Sequence, residues 1–533
     1  EKNFSGVLVY VATPKYKPTQ ITTCATAATC AGTANETKVT IEYNTPNLQP
    51  TKVTTASGDG SISSSVAYGY DARGNLTTVD GPLAGTDDTT TYIYDANDRE
   101  RGAIGPDPDG VGSRSRGAQR YTFDSASRVI KTEIGTATAA SSAALDTMTV
   151  VQTLDTSYDS AGNKAKEIVS GTSGAVSVVQ YSYDSLNRLE CTALRMNPTT
   201  WGALPTSACT AATSGTDGPD RIGRNTYDSL GRVTKAENAI GTAVASDEVR
   251  MAYTANGKVD YVIDAETNRT TYIYDGFDRL SQTRYPVATK GANSSNASDY
   301  EQLSYDARSS VIERRLRDGT TIAYSYDDLA RLTTKDLPGS EPDTTYSYDL
   351  MNRALSVVQG GHTNSFVHDA LGRVTSQTDP LGTIGYTYDA AGRRLTMSYP
   401  GGTLTINYDY DAAGNVTTIR ENGATSGAGV LATYAFDAAE RPSSVTFGNG
   451  SVQSFGYDAA SRLSTLTNDL GGVATTHDLT QSFTYNPASQ IASVSRSNDA
   501  YAWQAHYNVD RPYVVDGLNR IASVSGTSFS YDA

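Results

Sequence analysis

An aspartate and an arginine recur together along this chain, with the arginine four residues after the aspartate. In the copy formed by Tyr388, Asp389, Gly392 and Arg393, an aromatic residue precedes the pair and a glycine stands just before the arginine. A carboxylate can act as a general acid or base, and a guanidinium can bind a phosphate or a carboxylate. However, 16 copies carry the aspartate and 12 carry the arginine. Because the whole array repeats the same pair, we interpret these four residues as structural and not as catalytic.

Other residues that could do chemistry are scattered. The chain has four histidines, which share no spacing typical of a metal site: His362, His368, His477 and His506. His368 stands where most copies have an aromatic residue, which indicates a strand residue. The motifs of zinc peptidases, P-loop proteins, dinucleotide-binding folds and serine hydrolases do not occur. We therefore predict a protein that is not an enzyme and that uses no cofactor and no metal.

Each copy predicts a β-hairpin. Aromatic residues two positions apart, such as Tyr386 and Tyr388, point to the same face of a strand. The aspartate that follows can accept backbone N–H bonds and start a turn. Three residues after it, 11 of the 16 copies have Gly, Asn or Asp, which tolerate the positive φ of such a turn. The exceptions include Ser127, Ala330, Glu440 and Ser461. At these positions we expect strain or a different turn.

Successive hairpins should stack side by side, because a single hairpin cannot bury its aromatic face. From Asp306 to Asp411 the copies start 20 to 22 residues apart, a period typical of repeat architectures. Stacking in register predicts one ladder of the residues that precede the aspartates: Tyr326, Tyr348, His368, Tyr388 and Tyr410. It also places each arginine near the aspartate or tyrosine of the adjacent repeat, as for Arg331, Arg353, Arg373 and Arg393.

The repeated phrase closely resembles the YD repeats of the RHS family, over about residues 68–533. Members of that family include bacterial polymorphic-toxin proteins, the cocoon component of insecticidal Tc toxins and the animal teneurins. The resemblance implies an all-β fold in which hairpins join into a long spiralling sheet, a hollow shell or barrel-like solenoid. It also implies a shell that encloses a polypeptide, often the protein's own C-terminal toxin, or an adhesive surface scaffold.

One feature of the self-cleaving RHS proteins is incomplete here. Those proteins end their shell with a pair of D-P-x-G phrases that form an aspartyl protease site. This chain has one such phrase at 379–382, but 20 residues on, at 399–402, tyrosine replaces the aspartate. We interpret 379–382 as an ordinary turn. We expect a shell segment without its self-processing end and its cargo.

Composition limits the classes of partner. The net charge is −15 and the pI about 4.8, and the basic residues are spread over the repeats. A clustered basic footprint for nucleic acid is therefore not predicted. No apolar run approaches the roughly 20 residues of a membrane-spanning helix. Hydrophobic residues make up 38% of the chain but tyrosine is abundant, at 35 residues, which favours a thin sheet over a thick aliphatic core.

The four cysteines fall into two local pairs. Cys24 and Cys30 bound one short polar segment, and Cys191 and Cys209 bound another. Three pairings are possible, of which the local one closes the shortest loops. An even number of cysteines in an extracellular type of repeat chain favours disulfides and an oxidising compartment. Zinc is the alternative, but no Cys-x-x-Cys spacing or neighbouring histidine supports it.

The repeats divide the chain into two regions. Residues 1–60 lack the phrase but contain strand-like segments, beginning with Val7–Ala12, and we predict a β region or a plug that covers the first edge of the sheet. Residues 61–533 form the array. The array is interrupted by insertions at 136–150, 191–221 and 286–299. Insertions of this kind usually form loops on one face, where binding is most expected.

Two functions are consistent with these observations. The first is a non-enzymatic, secreted or cell-surface bacterial scaffold that encloses a polypeptide, either a separate cargo or its own downstream domain. The second is an extracellular fibre or adhesin that binds carbohydrate or neighbouring cells. For the second, Trp201 and Trp503 could stack on a glycan, although such residues more often pack locally.

Overall fold

The structure is a computed structural model of the whole chain. It describes residues 17–26, 29–45, 47–110, 112–437, 439–472, 475–499, 513–515, 521–524 and 526–529. The predicted strand Val7–Ala12, the repeat copy at Asp516 and the side chains of Trp503 and His506 lie outside these residues.

The described residues are almost entirely β-strand, as predicted. The first strands are β1 (Gln20–Cys24), β2 (Glu36–Tyr43), β3 (Pro50–Ser57), β4 (Ser63–Tyr70), β5 (Leu76–Asp80), β6 (Thr90–Tyr94), β7 (Glu100–Ile104), β8 (Arg116–Phe123), β9 (Val129–Ala137), β10 (Thr149–Tyr158), β11 (Lys164–Gly171), β12 (Gly174–Tyr183) and β13 (Leu189–Leu194). Then follow β14 (Arg221–Tyr227), β15 (Val233–Asn238), β16 (Ser246–Tyr253), β17 (Val259–Asp264), β18 (Arg269–Tyr274), β19 (Leu280–Pro286), β20 (Ser295–Tyr305), β21 (Val311–Arg315), β22 (Thr321–Tyr326), β23 (Leu332–Asp336), β24 (Thr344–Tyr348), β25 (Ala354–Gln359), β26 (His362–His368) and β27 (Val374–Asp379). The last are β28 (Gly382–Tyr388), β29 (Arg394–Ser398), β30 (Thr405–Tyr410), β31 (Val416–Glu421), β32 (Val430–Phe436), β33 (Pro442–Phe447), β34 (Val452–Tyr457), β35 (Leu463–Asp469), β36 (Leu479–Tyr485), β37 (Ile491–Arg496), β38 (Tyr513–Val515), β39 (Ile521–Val524) and β40 (Thr527–Ser528). A helix α1 spans Ser142–Asp146, and 3₁₀ turns span Pro198–Thr200 and Gly427–Gly429.

Strands that follow one another in the chain pair antiparallel, so the topology is a continuous meander. One sheet contains the 37 strands β1 to β37, and β38 to β40 form a separate small sheet. In the predicted N-terminal region, β1 pairs with β2 and β2 pairs with β3. Strand β3 pairs with β4, the first strand of the repeats. The chain divides by its contacts into two compact units. Unit 1 comprises 1–151, 345–456 and 466–478, and unit 2 comprises 152–344, 457–465 and 479–533.

The turn of each repeat explains why the hairpins form. At Asp389 the backbone N–H donates to the carbonyl of Arg393 (3.0 Å), and the N–H of Gly392 donates to the carbonyl of Asp389 (3.1 Å). Every described copy has a positive φ three residues after its aspartate. The predicted positive φ is confirmed at Gly231, Gly372, Gly392 and Gly414, with values of 79°, 86°, 78° and 93°. Of the two alternatives expected at the exceptions, the structure has the same turn with a disfavoured positive φ and not a different turn. Ser127, Ala330, Glu440 and Ser461 adopt the same conformation, with φ between 60° and 63°.

A reciprocal exchange at this position should measure the strain. We expect Ala330→Gly to stabilise its hairpin and Gly392→Ala to destabilise its own, each by about 1 kcal/mol, because Cβ disfavours the left-handed region. Hydrogen exchange of the flanking amides measures both effects. Ala391→Gly, one residue before Gly392, is the control. The changes in hairpin stability must have opposite signs at positions 330 and 392. A change of the same sign at both positions would contradict this account of the turn.

Two insertions cover the sheet with small apolar cores. The first core surrounds Leu145 of α1, which is fully buried against Ile104 and Ala118. The second contains Cys191, Ala193, Ala208 and Ile222, all 1% exposed or less. The insertions at 136–150 and 191–221 are thus folded parts of the sheet's packing and not only loops.

Candidate functional site

The row of hairpin turns brings the predicted site residues together. Within one repeat, the carboxylate of Asp389 accepts the backbone N–H of Arg393 (2.9 Å) through one oxygen and the Nε of Arg393 (2.6 Å) through the other. The same guanidinium lies 4.7 Å from the ring centroid of Tyr410 and donates to the carbonyl of Asp411 (2.7 Å). Arg393 therefore holds its own turn closed and joins it to the next repeat.

This arrangement recurs along the chain. Each of the 11 described arginines at this position forms an ion pair with the aspartate four residues earlier: Arg99, Arg128, Arg188, Arg232, Arg279, Arg331, Arg353, Arg373, Arg393, Arg441 and Arg462. The predicted reach to the adjacent repeat is found as well. Arg353 and Arg373 donate to the main-chain carbonyls of Asp369 (2.7 Å) and Asp389 (2.9 Å). The carboxylate partner, however, belongs to the arginine's own repeat.

The tyrosine ladder is built through hydroxyl groups. The hydroxyl of Tyr388 donates to the carbonyl of Val374 in the preceding hairpin (2.6 Å), and that of Tyr410 donates to the carbonyl of Arg394 (2.8 Å). The guanidinium of Arg373 lies 4.8 Å from the ring centroid of Tyr388. The ring of Tyr410 has the corresponding contact with the Arg393 guanidinium, so an arginine of the preceding repeat lies over each of these two rings. Tyr388 is half-buried, as are most residues of these strands.

His368 interrupts the ladder. It ends β26 as a strand residue, as predicted, but its Nδ1 atom is buried without a hydrogen-bond partner among the described residues. Burial lowers the pKa of His368, and the nearby charge of Arg353 lowers it further. The histidine is therefore held neutral where other repeats place a tyrosine hydroxyl.

The turns should make stability depend on pH in two separate ranges. The hydrogen bond from Arg188 lowers the pKa of Asp184, and the backbone N–H of Arg232 lowers that of Asp228. A lowered carboxylate pKa contributes stability above the unfolded value of about 4, and this contribution is lost as the pH falls through the folded value. The lowered pKa of His368 removes stability as the pH falls below about 6.5. We expect a small loss near pH 6 and a larger one below pH 4.

Urea midpoints measured between pH 7 and pH 3 test this expectation. His368→Tyr should abolish the small step near pH 6 and leave the acid step unchanged, because it removes the group whose lowered pKa causes that step. A single loss centred near pH 6 that survives His368→Tyr would contradict it.

Within unit 1, late turns contact strands that lie about 300 residues earlier. The N–H of Leu350 donates to the carbonyl of Ala25 (2.9 Å), and the hydroxyl of Thr37 donates to the carbonyl of Ala370. Further along, Arg114 pairs with Asp411 (2.9 Å). The strip of sheet therefore returns to its own earlier strands within this unit.

Unit 2 contains contacts of the same kind. The side-chain amide of Gln152 donates to the carbonyl of Ala460 (3.0 Å), and the Arg221 guanidinium contacts the side chain of Gln490. Gly171 is so close to Ala459 that an added Cβ would lie 2.0 Å from that residue's carbonyl oxygen. In this unit too, hairpin turns pack on the ends of earlier strands.

The cysteines are paired as predicted. Cys24 bonds Cys30 and Cys191 bonds Cys209, with Cα atoms 5.7 and 5.2 Å apart. Glu190 lies close to the second pair, but sulfur atoms joined in a disulfide are not available as thiolate ligands.

A buried ion pair in the 191–221 insertion was missed in the sequence. The Arg195 side chain is completely buried and pairs with Asp220 (2.6 Å). Arg195 also donates to the side chain of Gln180 and to the carbonyls of Ser207 and Thr210. Trp201 donates to the carbonyl of Arg195 (3.1 Å). Nothing in the residue pattern distinguished Arg195 from the many exposed arginines of the repeats.

The turn at 379–382 also lies where predicted. Asp379 pairs with Gly382 across a tight hairpin, and the N–H of Leu381 donates to the Asp379 side chain (2.8 Å).

Within the described residues, no helix is long and apolar enough to cross a membrane.

The family model for the RHS Repeat matches residues 368–404, which span the turns at Asp369 and Asp389. This stretch matches an RHS repeat. The resemblance inferred from the repeated phrase is therefore confirmed. No curated protein matches the chain.

Solved structures that resemble this chain do so at low sequence identity. A crystal structure of TcdB2-TccC3-Cdc42 aligns with 87% of this chain at 12% identity and a TM-score of 0.49. The Photorhabdus luminescens Tc holotoxin pore with the mutation TccC3-D651A aligns with 85% at 16% identity and a TM-score of 0.43. Each alignment covers 26% of the solved chain, so this chain spans about a quarter of their length.

Proposed function

We propose that this chain is a non-enzymatic scaffold whose RHS-type hairpins form a wall around an enclosed polypeptide. The observation that carries the proposal is the contact between late turns and early strand ends, such as Leu350 with Ala25 in unit 1 and Ala460 with Gln152 in unit 2. Where late turns contact early strand ends in this way, the strip of sheet has no gap between the two rows. Such a strip can separate two compartments.

The burial of the strands supports a wall with solvent on both faces. Only 19 hydrophobic residues count as buried in the described chain, and most strand residues are half-exposed. A sheet packed on a thick core would bury one face of each strand completely. Here aromatic rings, guanidinium groups and carboxylates stabilise the sheet from repeat to repeat, so neither face needs a second layer.

The hydrogen bonds of the repeated aspartates and arginines support a role without catalysis. The Asp389 carboxylate accepts two hydrogen bonds from Arg393, and the Arg393 guanidinium also bonds Asp411. Groups whose hydrogen-bonding capacity is used by structural bonds in this way are poor candidates for acid–base chemistry. The enclosed partner in this proposal is a polypeptide, either a separate cargo or the chain's own downstream domain.

Two disulfides support a location outside the cytoplasm, because such bonds persist in oxidising compartments. We place the protein at the bacterial cell surface or in the extracellular space. The alternative, an adhesin that binds glycans through exposed tryptophans, is less well supported. Trp201 is half-buried and donates its indole N–H to the carbonyl of Arg195, so it packs within its own insertion.

Cryo-electron microscopy of the protein expressed from its complete gene tests the proposal. We expect closed particles with internal density, and we expect the protein that supplies this density to resist added protease until the particle is unfolded. Filaments, or particles with a filled centre made only of sheet, would contradict it.

A further inference from the structure

We call the 11 arginines that pair with the turn aspartates, from Arg99 to Arg462, the arginine column. This column has gaps, because some repeats have another residue at the arginine position. Among the described copies with aspartate, four lack the arginine and have Asn75, Asn163, Ser310 or Asn415 in its place. In two of these repeats a nearby arginine replaces it. Arg73 donates to Asp98 (2.7 Å) and Arg308 donates to the carbonyl of Asp328 (3.2 Å), so both reach the next repeat from two positions earlier in the turn.

The gap at Asn415 is filled from elsewhere in unit 1. Arg114, 297 residues before Asp411, pairs with the Asp411 carboxylate (2.9 Å). Its guanidinium lies 5.3 Å from the ring centroid of Phe436, the next aromatic residue of the ladder. Arg393 makes the corresponding contacts within the column, with Asp389 and Tyr410. An arginine from a distant segment can therefore occupy a place that the repeat leaves open.

The weak copy at 253–258 also leaves this place open. Thr254 replaces the aspartate, and its hydroxyl accepts only the backbone N–H of Lys258 (3.2 Å). Lys258 replaces the arginine, but its side chain is exposed. The side chain of Asn256 reaches the next repeat and donates to Asp278 (2.9 Å), yet it is too short to cover the ring of Tyr274. Between these two repeats lies a cavity of about 410 Å³.

The lining of this cavity contains two of the three contacts of a column arginine, the aromatic ring and the next aspartate. It includes the ring of Tyr274, which occupies the ladder position of Tyr410, and Asp275, which occupies the position of Asp411. It also includes Asp260 and Asp278. No described lysine or arginine lies within ion-pair distance of these two carboxylates.

We propose that this cavity binds an arginine side chain of a partner polypeptide. Its guanidinium lies on the Tyr274 ring, donates to the main-chain carbonyl of Asp275 and pairs with Asp260. Arginine is preferred over lysine because its planar group stacks on an aromatic ring while its N–H groups donate in the plane. The inference does not depend on the enclosure of a cargo, because the cavity lies between two neighbouring hairpins.

Titration of the purified protein with N-acetyl-arginine amide tests the proposal, with binding followed by NMR or calorimetry. We expect saturable millimolar binding, as suits one side chain, and no binding of N-acetyl-citrulline amide, which has the same shape without the charge. Thr254→Asp combined with Lys258→Arg restores the aspartate and the arginine of the repeat, so that the chain's own guanidinium fills the cavity. This double variant should have a higher melting temperature and should not bind the arginine amide. Lys258→Ala, which removes the lysine without filling the cavity, is the matched control and should still bind.

Asp260→Asn gives a second measurement that does not require the rebuilt column to fold. It should weaken the binding of the arginine amide by about fivefold, the effect of losing one partly exposed ion pair. Three results would overturn the proposal: no saturable binding to the wild-type protein, equal binding of the citrulline compound, or undiminished binding by a folded double variant that combines Thr254→Asp with Lys258→Arg.

Discussion

Asp220→Asn should destabilise the segment between Cys191 and Ile222 by about 3–5 kcal/mol, the usual cost of leaving a buried charge without its partner. Arg195 has no solvent exposure and would keep its charge in an environment that water does not reach. Asp220 also accepts the backbone N–H groups of Met196 (2.9 Å) and Ala212 (2.8 Å). An asparagine can replace only part of these bonds.

Urea unfolding followed by the fluorescence of Trp201 measures the effect, in a Trp503→Phe background that leaves a single tryptophan. Asp98→Asn, followed by hydrogen exchange of its own hairpin, is the matched control, because Asp98 pairs with Arg73 at the surface and asparagine tolerates its φ of 62°. The control should lose less than about 1 kcal/mol. Equal losses of stability in both variants would show that the contribution of the Arg195–Asp220 pair does not come from its burial.

Tyr388→Ala should cost about 2 kcal/mol, less than the roughly 3–5 kcal/mol of a fully buried aromatic residue, because the ring is only half-buried. The variant loses the hydroxyl bond to Val374 and the contact with the Arg373 guanidinium. Tyr388→Phe keeps the ring and should cost about 1 kcal/mol, the net value of one hydrogen bond.

The damage should remain local, since the repeats interact mainly with their neighbours. Hydrogen exchange should show loss of protection in β26 to β31 and little change elsewhere. Leu381→Ala is the control, because this side chain is 87% exposed in a neighbouring turn and should change stability little. Uniform loss of protection over the described strands would mean that the sheet unfolds as one cooperative unit.

The turn itself could be predicted from the sequence. Its hydrogen bonds join Asp389 to residues no more than four positions away, so residue types and spacing determine it. The strength of these local bonds is also why Ala330 and Glu440 adopt a positive φ that their own side chains disfavour. Both disulfides could be predicted for the same reason, because each closes a short segment.

Only the tertiary structure showed which groups meet over long distances. The pairing of Arg114 with Asp411 and the burial of Arg195 depend on where the chain returns after many strands or folds over the sheet. That path is the sum of small twists between neighbouring strands, and no single residue pattern encodes it. The sequence by itself therefore determined the repeat, its turn and its bond to the next hairpin. The tertiary structure decided which insertions form cores and which gaps in the arginine column remain open, because these depend on contacts between segments that no local hydrogen bond connects.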